Sequence, residues 1–138
     1  MTSDNRTPVI LIAEDDPDDQ LMLQDAFEET CEHCQLRFVS DGVELMALLL
    51  GEDSPGPLPD LLLLDLNMPL KDGRQSLVEI RSEPALQQLP TVILTTSRND
   101  EDRAFCLAQG ANDYLVKPSS YTELIEIVKA LETWWESP

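Results

Sequence analysis

The strongest constraint on the fold is a repeated pattern of short apolar runs, each stopping on a polar or charged residue, with longer stretches of helical spacing between them. Val9-Ile10-Leu11-Ile12-Ala13, introduced by Pro8, stops at Glu14-Asp15-Asp16, and Leu61-Leu62-Leu63-Leu64 stops at Asp65. Thr91-Val92-Ile93-Leu94-Thr95 has the same character. A segment apolar on both faces must be covered on both faces, which marks a buried parallel strand. Leu36-Arg37-Phe38-Val39 and Asp113-Tyr114-Leu115-Val116-Lys117 read as two more short strands, the second closed by Pro118.

The intervening segments begin like helices. Asp16 is placed as an N-cap with Pro17 at the first helical position, and Leu23, Ala26, Phe27 and Thr30 space an inner face. Asp41 to Glu44 and Ser120 to Glu123 have capping-box spacing, the first followed by Leu45, Leu48 and Leu49. A third helix runs from about Gly73 to Ser82 and stops before Pro84; a fourth runs from Asn99 to Gln109, with Gly110 at its C-terminal end; the last reaches about Trp135. Residues 51–59, with three prolines and two glycines, form a loop.

Five strands alternating with five helices imply an α/β fold with a doubly wound parallel sheet. With right-handed crossovers the expected strand order is 2-1-3-4-5, a flavodoxin-like (βα)5 arrangement. The 138 residues are expected to make a single domain, 1–138, with its core at about 8–131 and no effector domain.

Charge excludes several functions. Nine Lys+Arg against 27 Asp+Glu give a net charge of −18, which repels phosphate backbones and anionic membrane surfaces. No apolar run approaches the roughly 20 residues of a spanning helix, and Met1 to Pro8 lacks the apolar centre of a signal peptide. A cytoplasmic protein that binds neither nucleic acid nor membrane is predicted. The cysteines, Cys31, Cys34 and Cys106, are odd in number and are expected as reduced thiols. Cys31-Glu32-His33-Cys34 has too few ligands for structural zinc.

In such a sheet the ligand site lies outside the carboxyl ends of the strands, where the order reverses between strands one and three. That edge collects Glu14 and Asp15, then Asp65 and Asn67, then Thr95 and Thr96, and finally Lys117. Like charges about 4 Å apart cost roughly 4 kcal/mol per pair at an effective dielectric near 20. Lys117 offsets part of that repulsion, and hard oxygen ligands suit Mg²⁺ for the rest. Asp16, Asp18 and Asp19 are read as helix-start acids. The stretch from Glu14 to Glu32 holds nine acids and no Lys or Arg, either a solvated helix face or a docking surface for a basic partner.

Glu14-Asp15, Asp65 within Leu-Leu-Asp-Leu-Asn-Met-Pro, Asp72-Gly73, Leu94-Thr95-Thr96 and Tyr114-Leu115-Val116-Lys117-Pro118 together resemble the receiver domain of two-component response regulators. Five fragments in this order and at the right strand ends make the resemblance specific, and the match extends from about Pro8 to Leu131. The Pro-rich loop, Lys71-Asp72-Gly73-Arg74, Leu94 to Ser97 and Trp134-Trp135 are similar to small single-domain regulators paired with bacterial phytochromes. The resemblance implies that Asp65 accepts a phosphoryl group from the phosphohistidine of a sensor histidine kinase or phosphotransfer protein. It implies Mg²⁺ held by Asp15, Asp65, the Asn67 carbonyl and, through water, Glu14. It further implies that Thr95 and Lys117 bind the phosphoryl group, that Tyr114 is an aromatic switch, and that the Lys117–Pro118 bond is cis.

The protein is therefore expected to be a phosphoacceptor signalling domain rather than an enzyme acting on external substrates. The alternative is a small aspartyl-phosphate phosphohydrolase. Against it, Asn67 stands two residues beyond Asp65, where such an enzyme needs its second acid. On the final helix Leu124, Val128, Leu131 and Trp135 form one apolar stripe, while Ile127 and Trp134 form a second, rotated from it. That second stripe predicts a homodimer through residues 99–135.

Overall fold

The structure is a computed structural model that describes residues 7–31, 33–51 and 58–135. Its elements run β1 (Val9–Ala13), α1 (Pro17–Thr30), β2 (Gln35–Val39), α2 (Gly42–Leu50), β3 (Leu61–Leu64), α3 (Gly73–Ser82), β4 (Thr91–Thr95), α4 (Asp100–Ala108), β5 (Asp113–Val116) and α5 (Tyr121–Leu131). Short 3₁₀ turns at Pro84–Leu86 and Glu132–Trp134 complete the chain. The sheet is parallel throughout, in the order β2-β1-β3-β4-β5. Six residues of the predicted 51–59 loop lie outside the described residues.

Strand parity divides the core in two. Ile10 and Ile12 of β1, Leu61 and Leu63 of β3, and Val92 and Leu94 of β4 face α1 and α5, where they meet Leu23, Phe27, Leu124 and Val128. Their alternates, Leu11, Ala13, Leu62, Leu64 and Ile93, face the opposite side and meet Leu45, Leu49, Leu77, Ile80 and Cys106. A period of two residues sends neighbours to opposite faces, so an unbroken apolar strand serves both layers at once.

Helix starts follow local chemistry. Asp16 caps α1 by accepting from the backbone N–H groups of Asp18 and Asp19 at 2.8 and 3.3 Å. Asp41 caps α2 through the Glu44 N–H, but Glu44 accepts from Ser40 rather than from Asp41, so that predicted box is half formed. A complete box, unforeseen from sequence, joins Asp72 and Gln75 at the start of α3. Gly110 ends the α4 segment at φ +105°, a conformation that strains any residue with a Cβ.

Three expectations need correction. Cys31 and Cys34 are joined in a disulfide and only Cys106 is a free thiol, buried in the core. The turn that brings α1 back to the edge strand sets their Cα atoms 5.6 Å apart, within bridging range. Ile127 and Trp134 do not form an outward stripe; both are half-buried and pack on the α1/α5 core with Trp135. The α-helix ends at Leu131, and the tighter 3₁₀ turn breaks the seven-residue spacing that separated the stripes. Finally, no described peptide bond is cis, so the Lys117–Pro118 bond is trans.

The loop between β4 and α4 is tied to α3. Arg74 donates twice to Asp102, at 2.9 and 2.7 Å, and the Ser97 hydroxyl donates to the same carboxylate at 2.7 Å. Tyr114 is buried and its hydroxyl donates to the Ser97 carbonyl at 3.0 Å. The Arg103 guanidinium lies 5.8 Å from the Tyr114 ring centroid and donates to the Tyr114 carbonyl.

Two predictions follow the packing and this tie. Phe27 is fully buried, with its ring centroid 6.2 Å from that of Trp135. Phe27→Ala should cost about 3–5 kcal/mol in urea unfolding; a cost below about 1 kcal/mol would place Phe27 outside the core. Arg74, then Ser97, hold the Asp102 carboxyl below its ordinary value of 3.8. A depressed carboxyl stabilises the fold above its unfolded pKa, and that contribution is lost as pH falls through the folded pKa. The stability difference between wild type and Asp102→Asn should therefore be constant at neutral pH and shrink only below about 3.8. Denaturation series in which the difference grows on acidification would contradict the assignment.

Candidate functional site

Each polar residue at the sheet edge is pinned by a strand neighbour one step past the ladder. The Glu14 N–H donates to Val39 O at 2.9 Å, Asp65 N–H to Ala13 O at 3.1 Å, and Lys117 N–H to Thr95 O at 2.7 Å. The loop after Asp65 is clamped just as closely. Gly73 N–H reaches Leu66 O at 2.9 Å, and a Cβ on Gly73 would lie 2.2 Å from the Asp65 carbonyl oxygen. Only glycine allows α3 to start that near the Asp65 backbone. Between them, Leu70 takes φ +66° in a tight turn closed by Lys71 N–H to Pro69 O, and its side chain is 81% exposed.

The electrostatics centre on Lys117. Its Nζ lies 2.5 Å from Glu14 Oε1, 2.7 Å from Asp19 Oδ2 and 3.0 Å from Asp65 Oδ2. Glu14 is 2% exposed and Asp65 5% exposed, whereas Asp15 faces solvent. Burial raises the Glu14 carboxyl to about 7, against the opposing pull of Lys117 and of the Asp16 N–H. Burial also works against the Lys117 ammonium, but its bonds to Asp19, Glu14 and Asp65 outweigh this and hold its pKa above the usual lysine value.

Carboxylate oxygens of Glu14, Asp15 and Asp65 all lie within 4.8 Å of one another. Three hard oxygen donors so close, one of them buried and drawn toward protonation, fit a divalent cation such as Mg²⁺ or Mn²⁺. Asn67 N–H donates to Asp65 Oδ1 at 3.2 Å, which orients the second oxygen of that carboxylate. Thr95 is fully buried, and its hydroxyl oxygen accepts from Ser97 N–H at 3.4 Å.

The sequence-predicted residues thus divide clearly. Glu14, Asp15, Asp65 and Lys117 come together, Asn67 touches Asp65, and Thr95 and Tyr114 connect through Ser97. Lys117 reaches Asp65 with a trans bond to Pro118, because the strand end and the long lysine stem supply the aim. Asp19 escaped the reading as a site residue. Its place in the first turn of α1, one turn on from the acidic strand end, was the available signal. Arg74 and Asp102 were also missed, since no local pattern links residues so far apart in the chain.

A model of the response regulator receiver domain matches residues 10–129. The chain is 37% identical to the response regulator Rcp1 of Synechocystis sp. over 138 residues, spanning 98% of this chain and 94% of that protein. Its fold is similar to the phosphorylated cyanobacterial phytochrome response regulator RcpA, with a TM-score of 0.87, 38% identity and 94% of each chain covered. It is also similar to the Mn²⁺-bound form of Rcp1, with a TM-score of 0.83, 38% identity, and 93% of this chain and 94% of that one covered. Matched over most of its length by a family model and by a relative of nearly equal extent, the chain belongs to the response regulator receiver domain family.

Proposed function

We propose that the chain is a stand-alone receiver that takes a phosphoryl group onto Asp65 and thereby switches a protein-contact face. The observation that carries this reading is the buried Asp65 carboxylate held 3.0 Å from the Lys117 ammonium beside two further acids. Asp65 Oδ attacks phosphorus as the N–P bond of a phosphohistidine breaks; the imidazole leaves with the electron pair and takes up a proton. Water later cleaves the acyl phosphate, returning the carboxylate and releasing phosphate. Phosphoryl transfer depends on alignment and charge neutralisation, so the chain needs little covalent machinery beyond the acceptor.

Asp15, Asp65, the Asn67 carbonyl and Glu14 would hold Mg²⁺, which supplies charge neutralisation at the phosphoryl oxygens when bound. The Mn²⁺-bound form of the similar Rcp1 supports a divalent ion here. Lys117 and Thr95 bind the phosphoryl oxygens. Movement of Thr95 passes to Ser97, whose carbonyl holds the Tyr114 hydroxyl of β5 and whose hydroxyl donates to Asp102 of α4. The phosphodonor is a sensor histidine kinase or phosphotransfer protein, and the phytochrome regulators among the relatives favour a light-sensing kinase.

A homodimer through residues 99–135 is part of the proposal. Phe105 and Leu107, exposed on α4, support it in place of Ile127 and Trp134. A location in the cytoplasm and the absence of nucleic-acid binding rest on the charge of −18 and on the absence, among the described residues, of a helix long and apolar enough to cross a membrane.

Intact mass spectrometry with Mg²⁺ and a small phosphodonor should show one added phosphoryl group, absent in Asp65→Asn. Normal labelling of that variant would refute the acceptor assignment. Mg²⁺ at 100 times its Kd should stabilise the wild type by about 2.7 kcal/mol, and Asp15→Ala should abolish the gain. An unchanged gain in Asp15→Ala would place the ion elsewhere.

A further inference from the structure

An ammonium group has three protons to donate, and three carboxylates take those of Lys117: Glu14, Asp19 and Asp65. Glu14 and Asp65 belong to the oxygen cluster that fits a divalent cation, and Asp19 lies outside it. A cation engaging Glu14 and Asp65 therefore competes with Lys117 for the same oxygens. Asp19 is the partner that such competition leaves to the ammonium.

Asp19 is suited to that part. Its side chain is 35% exposed, so it is neither sunk in the core nor free of the site. It does not cap α1, because Asp16 supplies the capping oxygen. Its 2.7 Å contact bridges the first turn of α1 and the end of β5, elements 98 residues apart in the chain. Without Asp19, a half-buried ammonium would either keep its hold on the cation's ligands or stand unpaired, and both raise the cost of loading the site.

We propose that Asp19 is a positioning residue: it seats the Lys117 ammonium when a divalent cation draws on Glu14 and Asp65, and so makes the metal site easier to fill. The inference rests on the metal reading given under Proposed function but not on phosphorylation of Asp65. Removing a carboxylate also weakens cation binding through plain charge, but that part does not require Lys117. A double-variant cycle separates the two contributions.

The experiment is calorimetric titration of Mg²⁺ into the wild type, Asp19→Asn, Asp19→Glu, Lys117→Met and the double variant Asp19→Asn with Lys117→Met. Asp19→Asn should weaken Mg²⁺ binding about three- to tenfold, and Asp19→Glu should stay within about twofold of wild type. In the Lys117→Met background the Asp19→Asn change should fall below about twofold. An equal loss in both backgrounds would reduce Asp19 to a bulk charge and overturn the inference. No loss in the presence of Lys117 would overturn it too, as would a wild type that takes up no Mg²⁺. Intact mass of the same wild-type protein after treatment with a phosphodonor scores the acceptor reading separately. Coupling through Asp19 in a protein that never labels at Asp65 would refute that reading alone.

Discussion

One ammonium group holds the functional edge of this fold together. The parallel sheet delivers Glu14 and Asp65 to adjacent strand ends and buries both, an arrangement that is unfavourable without a positive charge. Lys117, from the far side of β4, supplies it and also reaches across to α1 through Asp19. The same bonds leave Glu14 short of full compensation, its carboxyl raised to about 7 by burial. Lys117 supplies one positive charge, and the close carboxylate oxygens of Glu14, Asp15 and Asp65 fit a second, divalent cation.

The backbone around that centre is rigid where chemistry requires it and conditional where signalling requires it. Gly73 brings α3 against the Asp65 carbonyl with no space for a Cβ. On the other side, the Thr95 hydroxyl accepts from Ser97 N–H in the β4–α4 loop, and Ser97 also bonds Tyr114 and Asp102, the latter held in turn by Arg74. Movement of Ser97 would break its bonds to Asp102 of α4 and Tyr114 of β5 together, and Asp102 carries the change on to Arg74 of α3. An interlocked set of this kind favours two discrete arrangements over gradual deformation.

Much of this was legible in the sequence because it depends on local pattern. Wholly apolar runs ending on Glu14 and Asp65 define buried strands and the edge where their carboxylates meet, and Asp16 with Pro17 marks the start of α1. The features that escaped depend on three-dimensional approach. The Cys31–Cys34 bridge follows from the turn into β2, the inward Trp134 from a change of helix type after Leu131, and the Asp19–Lys117 contact from the distance between α1 and β5. Lys117 reaches Asp65 from the end of β5 with a trans bond to Pro118 in place of the expected cis bond.

The claim on which the rest depends is that the buried carboxylates require a cation, either the lysine or a metal. Urea unfolding of Lys117→Met, in EDTA and then in saturating Mg²⁺, tests it directly. The metal-free variant should lose about 3–5 kcal/mol relative to wild type, and Mg²⁺ should restore the larger share of that loss. A metal-free variant as stable as the wild type, or a deficit that Mg²⁺ leaves unchanged, would contradict the account.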